Sequence, residues 1–304
     1  MGALVEIEQV TKHFGAVRAL HAVSLQLHAG ERLAFVGANG SGKTTLMRAM
    51  LGLLDMQGRV TIGGNDVRLR PELALQQVAY IPQVAPPLDA PVRELVRAQC
   101  GLRGTDPQSV ADLAGQLGID YARIAGVRLR DLSGGTKQKI LAALALSARS
   151  QILVCDEPTA NLDEAARQAF FALVAKRPAG SLLVLCSHRS EEVRQLVDRV
   201  VELREGVLVR DARLESVLGE RALCRVQLRT QGEAPPLLKA ELLGLGFTCI
   251  APLTWRRQCN QAEKLALVSR VLEHRGQLGD LQVVDDERWS DTPQAAGAVA
   301  QPTA

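Results

Sequence analysis

The sequence predicts an α/β fold: a parallel sheet with helices on its faces, alternating strands ahead of it, and a small α+β appendage behind. Three observations carry that expectation. An apolar strand, RLAFVG, runs directly into a glycine-rich turn and then a helix, TTLMRAMLGLL, which is the βα unit of a parallel sheet. Two more apolar strands, QILVCDEP from Gln151 and SLLVLCSH from Ser181, are separated by a helical stretch from about Asp163 to Lys176. Beyond about residue 220 the pattern resets to short strands and helices of its own.

Taken in order, LVEIEQV and AVSLQLH alternate apolar and polar residues, the period of half-buried strands. RLAFVG, after the turn at Ala29-Gly30, is more evenly apolar and belongs near the centre of a sheet. Leu46, Met50 and Leu53 are spaced along one face of the next helix, which Gly52 helps to end. Residues 90–146 carry mostly helical patterns and predict an inserted helical subdomain. VVELREGVLV then forms a hairpin turning at Arg204-Glu205-Gly206, so the first domain spans 1–220.

From 221 to 287 the reading is strand LCRVQLR, helix PPLLKAELLGLG, strand TCIAPLTW, helix AEKLALVSRVLEHRG and strand LQVVDD. Leu265, Val268 and Leu272 share one face of the second helix. That βαβαβ order suggests an α+β unit of the ferredoxin-like kind. Residues 288–304 are small and polar and read as a disordered tail.

Composition narrows the function. A chain of 304 residues allows about two domains. Apolar residues at 47% and charged residues at 23% supply a real core and exclude a disordered or fibrous chain. Lysine and arginine total 36 against 33 acids, and aromatics are 3%, so the chain has neither a basic footprint nor a base-stacking platform. No nucleic-acid partner is expected. The six cysteines form no Cys-x-x-Cys pair and read as reduced, mostly buried thiols of a cytosolic protein. No apolar run approaches the roughly 18 residues of a membrane helix, and the first residues are no secretory signal. Glu6 stands where a myristoylation site needs Ser or Thr. The expectation is a cytoplasmic protein with no direct membrane insertion.

Gly37-Ala38-Asn39-Gly40-Ser41-Gly42-Lys43-Thr44 fits G-x-x-x-x-G-K-[ST], at the strand-to-helix junction where its chemistry works. The glycines let successive N–H groups point into one concavity where phosphate oxygens can sit. The helix beginning there adds a partial positive charge, and Thr45 extends the cradle along it. Lys43 places a point charge on the β and γ phosphates, and the Thr44 hydroxyl can ligate Mg²⁺.

Asp156 and Glu157 end the apolar strand ILVC. Carboxylates at the C-terminal edge of a parallel strand face the same crevice as the loop. Asp156 would hold Mg²⁺ through its water shell, and Glu157 would polarise an attacking water as general base.

Leu132-Ser133-Gly134-Gly135-Thr136-Lys137-Gln138-Lys139 precedes the apolar helix ILAALALSA, with Leu132 placed 24 residues before Asp156. Ser133, Gly134 and Gly135 form a second phosphate nest at a helix start. With this segment the chain resembles the ATP-binding subunits of ABC transporters, over roughly residues 4–220. The family signature reads LSGGQ, then one residue later Gln and Arg. This sequence keeps Leu132, Ser133, Gly134, Gly135 and Gln138, with Thr136 for the first glutamine and Lys139 for the arginine.

The resemblance implies a P-loop ATPase core with an antiparallel β subdomain and a helical subdomain, using ATP and Mg²⁺. Gln83, in YIPQ, matches the glutamine that senses the γ-phosphate and Mg²⁺. Asn161-Leu162-Asp163 resembles the loop crossing the dimer interface, and His188, in CSHR, resembles the switch histidine at the γ-phosphate. Phe14 sits where the family has a tyrosine stacking on adenine, with Val17 lining the same pocket. The family works as a pair of subunits, here expected to be a homodimer, each nucleotide clasped by the loop of one subunit and Ser133–Gly135 of the other.

A membrane permease is the implied partner, meeting the segment APPLDAPVRELV after Gln83 and holding the subunit at the inner face of the plasma membrane. A single cassette with a short appendage is most similar to bacterial exporter ATPases. Sugar-importer ATPases usually carry a larger β-rich domain. The alternative is a soluble ABC-type ATPase of translation or DNA repair, whose second cassette, coiled coil or zinc module this sequence lacks. Other features carry plainer expectations. Trp255-Arg256-Arg257 reads as an exposed strand face, Asp285-Asp286-Glu287 as a solvated turn, and His13, His21, His28 and His274 show no ligand spacing.

Overall fold

The alternating strands at the start fold back on each other because Gly15 takes a left-handed turn (φ 57°) between β1 (Val5–Phe14) and β2 (Val17–Leu27). In this computed structural model residues 2–221, 223–259 and 261–286 are described, and they divide into two units between Ala212 and Arg213. The expected tail, 288–304, lies outside the described residues, as does Glu287.

In the first unit β3 (Arg32–Val36) leads into α1 (Lys43–Met50), followed by β4 (Gln57–Ile62), the short β5 (Asn65–Asp66), α2 (Pro71–Leu75) and β6 (Val78–Ile81). The helical region holds α3 (Val92–Arg103), α4 (Pro107–Gln116), α5 (Tyr121–Ile124) and α6 (Gly134–Ser147). Then come β7 (Ile152–Asp156), α7 (Glu164–Ala175), β8 (Leu182–Cys186), α8 (Ser190–Leu196), β9 (Arg199–Arg204) and β10 (Val207–Arg213).

Two sheets result. An antiparallel sheet runs β2-β1-β4-β5. A six-stranded sheet runs β10-β9-β3-β8-β7-β6, with β9, β3, β8, β7 and β6 parallel. The evenly apolar β3 is interior to it, as its composition predicts. Ile7 and Leu27 of the first sheet share one core with Phe35, Leu46 and Val184 of the second and its helix. Each such fully buried side chain contributes about 1.5–3 kcal/mol of transfer free energy. The β9–β10 hairpin turns on Glu205 (φ 48°) and Gly206 (φ 77°), the left-handed pair of a tight two-residue turn.

Several expectations are corrected. Helix α1 ends at Met50, and Leu53 is exposed rather than on its buried face. Gly52 is left-handed (φ 67°), and a Cβ there would sit 2.9 Å from Val67 O, so the chain has already turned away from the helix. Strands β4, β5 and β6 are not legible in the sequence: Gly58, Gly63 and Gly64 interrupt the first two, and β6 has four residues. Helix α6 starts at Gly134, earlier than its apolar run.

The second unit contains α9 (Leu214–Arg221), β11 (Leu223–Thr230), α10 (Pro236–Gly244), β12 (Thr248–Ala251), β13 (Thr254–Cys259), α11 (Gln261–Leu272) and β14 (Leu278–Asp286). TCIAPLTW is therefore a hairpin, not one strand, because Pro252 and a left-handed Leu253 (φ 66°) break it. The order is βαββαβ, and the antiparallel sheet runs β12-β13-β11-β14. Leu267 and Val271 form the buried face of α11, whereas Leu265 and Leu272 are exposed. Apolar residues crowd that helix on more than one side, so spacing alone does not choose the face. Trp255 is buried in this unit's core, Arg256 faces the other side of the sheet against Gln227, and Arg257 pairs with Glu263 and Leu245 O. They form no common face. Asp285 and Asp286 end β14 rather than forming a turn.

Candidate nucleotide site

The loop after β3 closes tightly on itself. Gly37 (φ 143°) leaves no room for a Cβ against Leu203 O, and at Gly42 (φ 103°) a Cβ would sit 2.8 Å from Ala19 O. Only glycine serves at either position. Ala38, Asn39 and Gly40 form the exposed rim, and Ser41 N donates to Ala38 O at 3.1 Å. The turn of the β9–β10 hairpin braces the loop from behind, Gly206 N donating to Ser41 O at 3.0 Å. Lys43 Nζ donates to Gly37 O and Ala38 O, both at 2.8 Å, so the cation lies across the loop's own carbonyls. Helix α1 has Gly42 as its N-cap and no side-chain acceptor there, which leaves its first N–H groups to an outside anion. Thr44 and Thr45 are half-buried in that first turn.

Strand register brings the carboxylates to the same edge. Phe35 pairs with Cys186, and Cys186 with Asp156, so the loop's strand and Asp156 stand two strand spacings apart, about 10 Å. Ile81 pairs with Cys155, which carries Gln83 to the edge beside Glu157. Gln83 is exposed there. Burial raises the Asp156 carboxyl above its usual range; the Cys186 thiol opposes this, Glu157 adds to it, and Arg48 and Lys43 oppose it. Glu157 holds a left-handed backbone (φ 49°), a conformation that costs a non-glycine residue about 1–2 kcal/mol. Its Oε1 accepts the His188 backbone N–H at 3.2 Å and lies 2.8 Å from His188 Nδ1.

Asp156 Oδ1 and Glu157 Oε2 are buried with no hydrogen-bond partner. Two unpaired carboxylate oxygens beside a phosphate loop fit a divalent cation and its water shell. Among the described residues no group of three His, Cys, Asp or Glu could hold a metal ion by itself.

The second nest caps α6. Ser133 Oγ accepts from Thr136 N at 3.2 Å and lies 2.8 Å from Thr136 Oγ1. Ser133 and Gly134 are exposed, and a Cβ on Gly135 would meet Asn161 O at 2.8 Å. The nest therefore packs on the Asn161-Leu162-Asp163 loop. Lys139 binds Asp163 at 2.7 Å, and Asp163 caps α7 by accepting from Ala166 N at 2.8 Å. Phe14 and Val17 are cross-strand partners at the tip of β1 and β2, both exposed, with Lys12 Nζ 5.1 Å from the Phe14 ring centroid.

Sequence reasoning named Gln138 only as a retained signature letter and missed the other buried polar residues behind these groups. Gln138 donates to Pro82 O at 3.3 Å and to Pro158 O at 3.0 Å. Thr159, Ser187 and Glu192 are buried beside Glu157 and His188. The signal that could have found them is positional: Thr159 is two residues from Glu157, Ser187 adjoins His188, and Glu192 follows it by one helical turn.

The sequence matches the family described as ABC transporter over residues 20–160. It is 32% identical over 249 residues to the Fe(3+) ions import ATP-binding protein FbpC of Pseudomonas fluorescens, covering 75% of this chain and 70% of that one. This chain belongs to the ABC transporter ATP-binding subunits. As a member of that family it is an ATPase coupled to transport. The Nod factor export ATP-binding protein I of Rhizobium meliloti is 30% identical, covering 73% of this ABC subunit and 68% of the relative. The fold matches that of the ATP-binding cassette MJ0796, solved as a dimer in a post-hydrolysis state with ADP and Pi (TM-score 0.61, 23% identity, 69% of this chain and 98% of that one). Relatives of the import and export kind favour transport over the translation or repair alternative. Among the described residues no helix of this ABC subunit is long and apolar enough to cross a membrane.

Proposed function

We propose that this ABC subunit binds ATP in a head-to-tail pair of identical chains and hydrolyses it to drive a membrane permease from the cytoplasmic face. The observation that carries the reading is the edge formed by the Lys43 loop, the unpaired Asp156 and Glu157 oxygens, and His188 bonded to Glu157. The dimeric solved relative and the transporter names of the sequence relatives support the partners.

In this reading Lys43 leaves the loop carbonyls for the β and γ phosphates, and the N–H groups from Gly40 to Thr45 hold the remaining oxygens. Thr44, Asp156 and Gln83 would hold Mg²⁺, which supplies charge neutralisation between those phosphates. Glu157 takes the proton of the attacking water, and His188 fixes that carboxylate from two directions. Phe14 offers its free face to adenine, with Val17 beside it. Ser133, Gly134 and Gly135 reach the γ-phosphate held by the other chain, so ATP favours the closed pair and hydrolysis releases it. The segment 85–96 after Gln83 meets the permease.

The experiment is light scattering on the Glu157→Gln protein with and without ATP. ATP should convert it to a stable dimer while turnover falls on the order of 10²–10⁴-fold. A Ser133→Arg change should abolish that dimer. Normal turnover of Glu157→Gln, or dimers insensitive to Ser133→Arg, would refute the proposal.

A further inference from the structure

Glu192 is fully buried on α8, yet none of the steps above uses it. Burying a carboxylate is costly unless its bonds are made, so its partners matter. Thr159 Oγ1 donates to Glu192 Oε1, while the buried Oε2 has no hydrogen-bond partner. Arg189 Nε lies 3.8 Å from Oε1. Thr159 is itself fully buried and stands two residues after Glu157. Ser187 and Arg189 flank His188, and Ser187 Oγ accepts from Arg189 N at 3.0 Å. One side chain therefore joins the two segments that present Glu157 and His188.

That junction sets a demanding geometry. His188 reaches a single oxygen of Glu157 through both its backbone N–H and its ring, and hydrogen bonds weaken steeply with misalignment. A displacement of residues 187–189 by about 1 Å would break one of the two, and such misplacement can cost roughly 10²-fold in rate. Burial, with Glu157 nearby, pushes the Glu192 carboxyl up, and the Thr159 and Ser187 hydroxyls oppose it.

We infer that Glu192 is a positioning residue for hydrolysis: through Thr159 and Arg189 it holds the His188 segment in register with Glu157. The inference rests on the assignment of Glu157 and His188 as the hydrolytic pair. The test measures ATP turnover, nucleotide affinity and thermal unfolding of the full chain carrying Glu192→Ala, Glu192→Gln, Thr159→Val or Thr159→Ser. Glu192→Ala and Thr159→Val should each lower kcat on the order of 10- to 100-fold with KM changed by less than about twofold. Glu192→Gln and Thr159→Ser, which keep the acceptor and the hydroxyl, should retain kcat within about threefold. In a His188→Ala background, Glu192→Ala should cost no more than about threefold further, because the ring it positions is gone and only the backbone N–H contact remains.

Wild-type kcat in both Glu192→Ala and Thr159→Val would overturn the inference. So would a further tenfold loss in the His188→Ala background, or equal losses in the conservative variants. Failure of the underlying pair assignment reads separately, as wild-type turnover of His188→Ala and Glu157→Gln.

Discussion

Glu157 Oε1 accepts the backbone N–H of His188 at 3.2 Å while the ring Nδ1 of the same residue lies 2.8 Å away. Two contacts on one oxygen leave Oε2 unpaired at the crevice edge. Groups that act as one unit lose activity non-additively. Glu157→Gln and His188→Ala should therefore each reduce kcat severely, and the double variant should be no worse than the poorer single one within about threefold. Steady-state ATPase rates of the three proteins check this; multiplicative losses would show the two residues acting independently.

Lys43 spans the Gly37 and Ala38 carbonyls, the position from which a phosphate would draw it. Lys43→Ala removes the charge that phosphate would recruit, and charge-assisted bonds are worth about 1.5–3 kcal/mol. ATP affinity should fall roughly 10- to 100-fold in a calorimetric titration. Adenosine, which lacks phosphates, should bind the variant and the wild type alike.

Thr136 replaces the usual glutamine of the signature with a hydroxyl 2.8 Å from Ser133 Oγ. When Thr136 donates, that contact and the Thr136 N–H occupy both lone pairs of Ser133 Oγ. The serine's own proton is then left for an outside acceptor such as a phosphate oxygen. Thr136→Val should lower kcat/KM for ATP by about three- to tenfold, and Thr136→Ser should leave it unchanged. Equal rates for all three proteins would show that the substitution at 136 is neutral.

Asp66 links structure to acid stability. Burial pushes its carboxyl up, but the N–H groups of Arg68 and Leu69 and the Arg59 guanidinium outweigh that and hold it below the ordinary value. A carboxyl lowered by folding stabilises the native state above its unfolded value and loses that contribution as pH drops through the folded one. Asp66→Asn should lower Tm by a few degrees at pH 7. The gap from wild type should close as pH falls below ~4. A gap that stays constant down to acid pH would remove the ionic role of Asp66.

Much of this site is legible in the sequence because its chemistry constrains local spacing. The loop from Gly37 to Thr44 needs glycine where the backbone is left-handed or crowded, and those needs are visible in eight consecutive letters. Asp156, Glu157 and His188 are legible because apolar strands end at them. Glu192 and the contacts of Gln138 are not, because they depend on partners brought near by folding, 33 residues away for Thr159 and 56 for Pro82. In the appendage, alternation reveals β11 and β14, whereas the apolar letters on both sides of Pro252 hide the break inside TCIAPLTW. The face of α11 is decided by what packs on it, with Leu267 and Val271 inward and Leu265 outward.

The buried amide of Gln138 gives the first unit a mechanical pin. It grips Pro82 O, next to the glutamine that follows β6, and Pro158 O, next to Glu157, from the helix that begins at the Ser133 nest. A tilt of α6 would strain both bonds together. The start of α6 and the two loops that carry Gln83 and Glu157 thus share one buried amide group.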